Sequence, residues 1–150
     1  MDLTADLDAS CTPDELFAWV ADLERYPRWL GIVDRVEPAA AADGDVGPAH
    51  VVDLAARVGP FSRSKRLRMV RSQIDEALSV VFERRETDGR EHGTWRLTAD
   101  VESRPGGGAH LSMRLHYGGR LWGPVLEPIL HDEIERSKER LLRLVAGAHP

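Results

Sequence analysis

The chain has 150 residues, a formal net charge of −5, and 42% hydrophobic against 30% charged residues. That is enough for one folded domain able to bury about two-thirds of its unfolded surface, and too apolar for a disordered chain. The acidic balance argues against nucleic acid as the main partner, and the lone Cys11 excludes an internal disulfide and suits a reducing compartment.

The first residues alternate, with Leu3, Ala5, Leu7 and Ala9 on one face and Asp2, Thr4, Asp6 and Asp8 on the other, which predicts a half-buried strand. Thr12-Pro13-Asp14-Glu15 combines a cap, a first-position proline and a capping-box glutamate, so a helix starts there. Leu16, Val20 and Leu23 form its stripe, flanked by Phe17 and Trp19, and Pro27 breaks it, leaving a second short helical turn through Trp29. MDLTADLDAS has no basic stretch before an apolar core, so no signal peptide is expected.

Residues 32–37 read as a short strand, and 38–48 as an Ala-, Gly- and Asp-rich surface loop. Strands follow at 50–58, 61–72, 77–86, 93–103 and 109–117, about seven in all. They are separated by Gly59-Pro60, a polar turn near Asp75, the hairpin signal Asp88-Gly89 and the link Pro105 to Gly108. A long helix over about 122–146 carries Leu126, Leu130, Ile134, Ser137, Leu141 and Val145 at intervals of three or four. No apolar run approaches the roughly 20 residues that span a bilayer, so an integral membrane segment is not expected and a cytoplasmic location is. Segregated strands and helices define an α+β fold of a single domain over 1–150. Its one long helix must cover a face of a long antiparallel sheet, and if the sheet curves around it a cavity lies between them.

Asp22-Leu23-Glu24-Arg25-Tyr26-Pro27-Arg28-Trp29 resembles the signature that follows the first helix in the polyketide cyclase/dehydrase-like group of the START-like (SRPBCC) superfamily. The Gly93-Thr94-Trp95 strand opening and the terminal helix also fit, and the likeness in element order covers essentially the whole chain. The resemblance implies a helix-grip fold, a curved seven-stranded antiparallel sheet wrapped around a long C-terminal helix, with two short helices after the first strand. It also implies a central hydrophobic cavity. Superfamily members include aromatase/cyclases, lipid carriers, hormone receptors and oxygenase domains, so function does not follow from the fold. No His, His, carboxylate iron triad is recognisable, and no metal or cofactor is expected.

Strand phase selects the inward residues. Leu67 and Met69 put Phe61, Arg63 and Lys65 on their face; Leu78, Val80 and Phe82 bring Arg84 and Glu86. Trp95, Leu97, Ala99 and Val101 follow, then Leu111, Met113, Leu115 and Tyr117. A turn centred near Asp75 sets Lys65 across from Arg84, Arg63 across from Glu86 and, outside, Arg66 opposite Glu83; the Asp88-Gly89 hairpin sets Trp95 beside Arg84.

Two inward cations facing each other repel and are costly to desolvate. Either they bind a carboxylate, phosphate or phenolate, with Trp95 stacked on Arg84, or they reach water at the sheet end with Glu86 as counter-charge. Trp29, Trp122 and Tyr26 stand where the helices meet the sheet, as mouth or as core. Leu126, Leu130 and Ile134 supply the helix side of the grip. Glu127, His131 and Glu135 lie four apart on the long helix but beside its stripe, which suits a solvated ion-pair face better than a metal site.

Two functions fit. One is a binding or carrier protein for a small hydrophobic or amphipathic molecule with an aromatic or acyl body and an acidic or phenolic head, acting as a monomer or weak homodimer. The other is an aromatase/cyclase that folds a polyketone, with Arg84 or Arg63 stabilising an enolate and Tyr117 moving a proton. A third, an interaction module gated by the ligand, would use loop 39–47 as its mobile element.

Overall fold

A computed structural model of the chain describes residues 2–118 and 126–147. Strand β1 (Asp2–Ala9) buries its Leu7 and Ala9 and exposes its aspartates, as the alternation demands. Helix α1 (Pro13–Val20) is capped by Thr12, whose Oγ1 accepts from the Glu15 amide at 3.2 Å. Its stripe, Leu16 and Val20, is fully buried. The second short helix is a 3₁₀ segment, Leu23–Arg28, opened by Asp22 through a 3.0 Å bond from the Glu24 amide. Pro27 lies inside it, and the amides of Trp29 and Leu30 close it by bonding the Tyr26 carbonyl.

The remaining strands are β2 (Val33–Ala39), β3 (Ala49–Val58), β4 (Phe61–Asp75), β5 (Ser79–Arg84), β6 (Trp95–Ser103) and β7 (Ala109–Tyr117), followed by α2 (Leu126–Gly147). They form one antiparallel sheet in the order β1-β7-β6-β5-β4-β3-β2. From β2 to β7 each strand pairs with the next, and β1 closes onto β7. The two edge strands are therefore joined by α1 and the 3₁₀ helix, which must cross the width of the sheet: α1 packs beside β6 and β7, the 3₁₀ helix beside β2.

Two connections differ from the expected ones. β4 runs to Asp75, and the turn falls on residues 76–78, where Asp75 Oδ1 accepts from the Ala77 amide at 2.9 Å and Leu78 takes a φ of 60°. A bulge at Ser72 adds one more residue to β4. Asp88-Gly89 sits inside a longer loop, 85–94, with Gly89 at a φ of 74°, yet the β5–β6 register is the expected one, with Phe82 opposite Leu97 and Glu83 opposite Arg96.

The displaced turn corrects the register. Arg84 pairs with Met69, and Glu83 with Val70, not with Lys65 and Arg66. Lys65 lies opposite Leu54, Arg63 opposite Ala56, and Arg66 opposite Asp53, which its Nε reaches at 2.7 Å. Slipping by an even number of residues preserves which face each side chain occupies but replaces every partner. Beyond Met69, β4 has no β5 beside it, so Arg63 and Lys65 ride on the β3–β4 arm past the end of β5.

On the outer face, the loop after β2 crosses β4. Arg68, 7% exposed, donates to both oxygens of Asp45 at 3.2 and 2.6 Å and to the carbonyls of Ala40 (2.9 Å) and Arg85 (3.1 Å). These buried bonds tie the loop, expected as a mobile element, to the sheet in this structure.

Candidate functional site

A cavity of about 160 Å³ lies between the concave face and α2. Strand alternation aims its sheet wall: Leu67 and Met69 from β4, Trp95 and Leu97 from β6, Met113 and Leu115 from β7. The helix contributes Leu130 and Ile134, then Ser137, Lys138 and Leu141, and Trp29 comes from the end of the 3₁₀ helix.

The aromatic groups are fixed from behind. Tyr26 is fully buried and donates its hydroxyl to the Val20 carbonyl at 2.8 Å; burial pushes its pKa far above the usual phenol value. It packs on Trp29 at 4.8 Å between ring centroids and meets Phe82 edge-on at 6.4 Å. Trp29 Nε1 donates to the Trp19 carbonyl at 3.3 Å.

Helix α2 is set against this wall by polar contacts from its middle turns. Ser137 Oγ donates to the Glu133 carbonyl (2.7 Å) and accepts from the Gly31 amide (3.3 Å). Arg140 Nη1 bridges the Trp29 carbonyl and Glu133 Oε1 at 3.3 and 3.1 Å. Position 31 must be glycine for this: a Cβ there would stand 1.8 Å from Glu133 Oε1.

The expected cationic end is rearranged. Arg63, Lys65 and Arg84 do not line the cavity. Arg84, with a side chain 8% exposed, bonds Glu86 Oε1 at 2.9 Å and reaches the Gly93 carbonyl and His92 Nδ1 at 3.4 and 3.3 Å. Its counter-charge is therefore supplied by the protein, Glu86, which also accepts from the Arg68 amide at 3.0 Å. Trp95 does not stack on Arg84; it stacks on Tyr117, its partner across β6 and β7, with ring centroids 5.4 Å apart. Phe82 and Tyr117 are buried in the core beside the cavity but not in its lining. Trp122 lies outside the described residues, and at Leu126 only the backbone is described.

Lining residues that phase analysis of the middle strands missed come from the edges: Leu3, Ala5 and Leu7 of β1, Val52 and Leu54 of β3, and Leu30 with Ile32 after the 3₁₀ helix. Their signal was present in β1, whose alternation already put Leu3, Ala5 and Leu7 on one face, and weaker in β3, where Val51-Val52 and Ala55-Ala56 are apolar on both faces. His116 faces outward and bonds Asp2 at 2.9 Å; His110, at the other end of β7 on the same outer face, lies between Asp8 (2.6 Å) and Asp6 (3.1 Å). Cys11 is buried, and desolvation raises its pKa. Among the described residues, no cluster of three His, Cys, Asp or Glu side chains is placed to hold a metal ion, and no helix is long and apolar enough to cross a membrane.

A seven-stranded antiparallel sheet gripping one long helix around an apolar cavity is the START-like, helix-grip class of ligand-binding fold. Within it, the chain belongs to the family described as polyketide cyclase / dehydrase and lipid transport, which matches residues 2–146. Among solved structures it is similar to a START superfamily protein from Mycobacterium smegmatis (13% identity, 98% of each chain, TM-score 0.71). It is also similar to a protein from Thermus thermophilus (18%, 100% of each chain, 0.72). An aromatase/cyclase from a Streptomyces species aligns over 99% of this chain and 92% of that one at 15% identity, with a TM-score of 0.60. No curated protein matches it in sequence.

Proposed function

We propose that the protein binds a small hydrophobic or amphipathic molecule, with an aromatic or acyl body, between its sheet and α2. The observation that carries this reading is the cavity of about 160 Å³ in the middle of an otherwise close-packed core, walled by aliphatic and aromatic side chains. Dry apolar space of that size forfeits dispersion contacts and is matched by about one benzene-sized ring or a short acyl segment. A larger ligand would leave the rest of its body at the mouth. The family description, which includes lipid transport, points the same way.

The aromatase/cyclase alternative draws on the same description, but Arg84 is paired with Glu86, and none of the groups suggested for it, Arg63, Arg84 and Tyr117, borders the cavity. Binding without conversion is the reading these contacts favour.

Trp29 and Trp95 both border the cavity, so toluene titrated into the purified protein is expected to change tryptophan emission saturably and to raise the melting temperature in parallel. Neither signal moving, together with no small molecule retained in native mass spectrometry, overturns the proposal.

A further inference from the structure

We infer that Lys138 receives the acidic head of an amphipathic ligand whose apolar body occupies the cavity, an inference that rests on the binding reading above. Most of the cavity's polar groups are already committed. The Tyr26 hydroxyl serves the Val20 carbonyl, Trp29 Nε1 serves the Trp19 carbonyl, and Ser137 Oγ is used both as donor and as acceptor. Asp6 borders the cavity from β1, yet its carboxylate is bonded on the outer face by the Ser112 hydroxyl at 3.0 Å and by His110.

Lys138 differs in charge and in position. Among the described lining residues it is the one cation, and it stands one turn of α2 from each of Ile134 and Leu141, hence on the same helix face. Its side chain is 27% exposed, so the ammonium sits at the rim, between apolar wall and water. Among the described residues its partner is Glu135 Oε1, at 3.0 Å on the exposed side of the helix, which engages one of three N–H donors. A carboxylate at the rim would take the others as charge-assisted bonds while its chain stays buried. Lys138 thus replaces Arg84 as the cation that selects the ligand: both are paired with a carboxylate, but Lys138 borders the cavity and Arg84 lies outside the lining.

The test compares 1-octanol with octanoate, equal in chain length and different in head, by tryptophan fluorescence titration of the intact protein. Octanol binding reports the cavity; the difference between ligands reports Lys138. For Lys138→Met, octanoate is expected to lose about fivefold more affinity than octanol, the modest size reflecting a rim position open to solvent. Lys138→Arg should keep octanoate, and its wild-type affinity should fall as salt is raised. Equal weakening of both ligands, no change for either, or a selective loss of octanoate in Arg84→Met instead, overturns the role of Lys138 and leaves the cavity reading intact. Failure of wild-type protein to bind octanol overturns the cavity reading, and this inference with it.

Discussion

Truncating Leu67 to alanine tests whether the cavity is accessible to ligand rather than merely a packing gap. Leu67 is 2% exposed and borders the cavity from the middle of β4, flanked by β3. Losing three carbons at about 0.8 kcal/mol each removes about 2.4 kcal/mol of transfer energy, and the enlarged void brings the cost to about 3–4 kcal/mol. In a chain of this size that lowers the melting temperature by roughly 6–15 °C. Val70→Ala is the control: Val70 is equally buried but lies on the outer face, outside the cavity lining. Urea unfolding followed by tryptophan fluorescence, with and without naphthalene, reads both. Naphthalene is expected to stabilise Leu67→Ala more than wild type, approaching about 2.7 kcal/mol at a hundredfold excess over Kd, and Val70→Ala no more than wild type. Equal rescue of the two variants, or a loss below about 1 kcal/mol for Leu67→Ala, would refute the reasoning.

Gly31→Ala should cost about 1–3 kcal/mol by expelling the Glu133 carboxylate from its place beside Arg140, and a Glu133→Ala background should remove at least half of that penalty in a double-mutant cycle. Tyr26→Phe leaves the buried Val20 carbonyl without its partner and should lower stability by about 1–2 kcal/mol in urea unfolding, with far-UV circular dichroism unchanged. The bond to Asp8, aided by Asp6, raises the pKa of His110 above its ordinary 6.5, while Arg104 lies on Asp8 at 3.4 Å and Glu102 faces His110 from β6. Because the folded value is the higher one, this contribution is complete below about pH 6.5 and fades as pH rises through the folded pKa; His110→Gln should flatten that part of a stability–pH curve. Asp45 is the opposite case: hydrogen bonds from Arg68 hold its pKa at about 2, so its contribution is present above its ordinary value near 3.8 and is lost as pH falls toward 2. Asp45→Asn should therefore lose the steep acid limb seen in the wild type when unfolding is followed from pH 5 to 2.

The element order, the capped first helix and the stripe of α2 were legible in the sequence, because each rests on contacts between residues three or four apart or on alternation within one strand; the break expected at Pro27 instead falls at Ala21-Asp22, with Pro27 inside the 3₁₀ helix. Facing was legible for the same reason: Leu67, Met69, Trp95, Leu97, Met113 and Leu115 do point at α2. What the sequence could not decide was which strand positions meet. The cationic row of Lys65 and Arg84 depended on where β4 turns, and a left-handed Leu78 with a bulge at Ser72 moved that turn along the chain, leaving faces unchanged and partners exchanged. Long-range polar contacts were equally hidden. Arg68 with Asp45 across 23 residues, and Gly31 with Ser137 across 106, are chosen by three-dimensional proximity, which no local spacing encodes. The apolar grip was thus written in the pattern, whereas which cation borders the cavity, Lys138 and not Arg84, was decided by tertiary structure, because strand register carries Arg84 away from the lining.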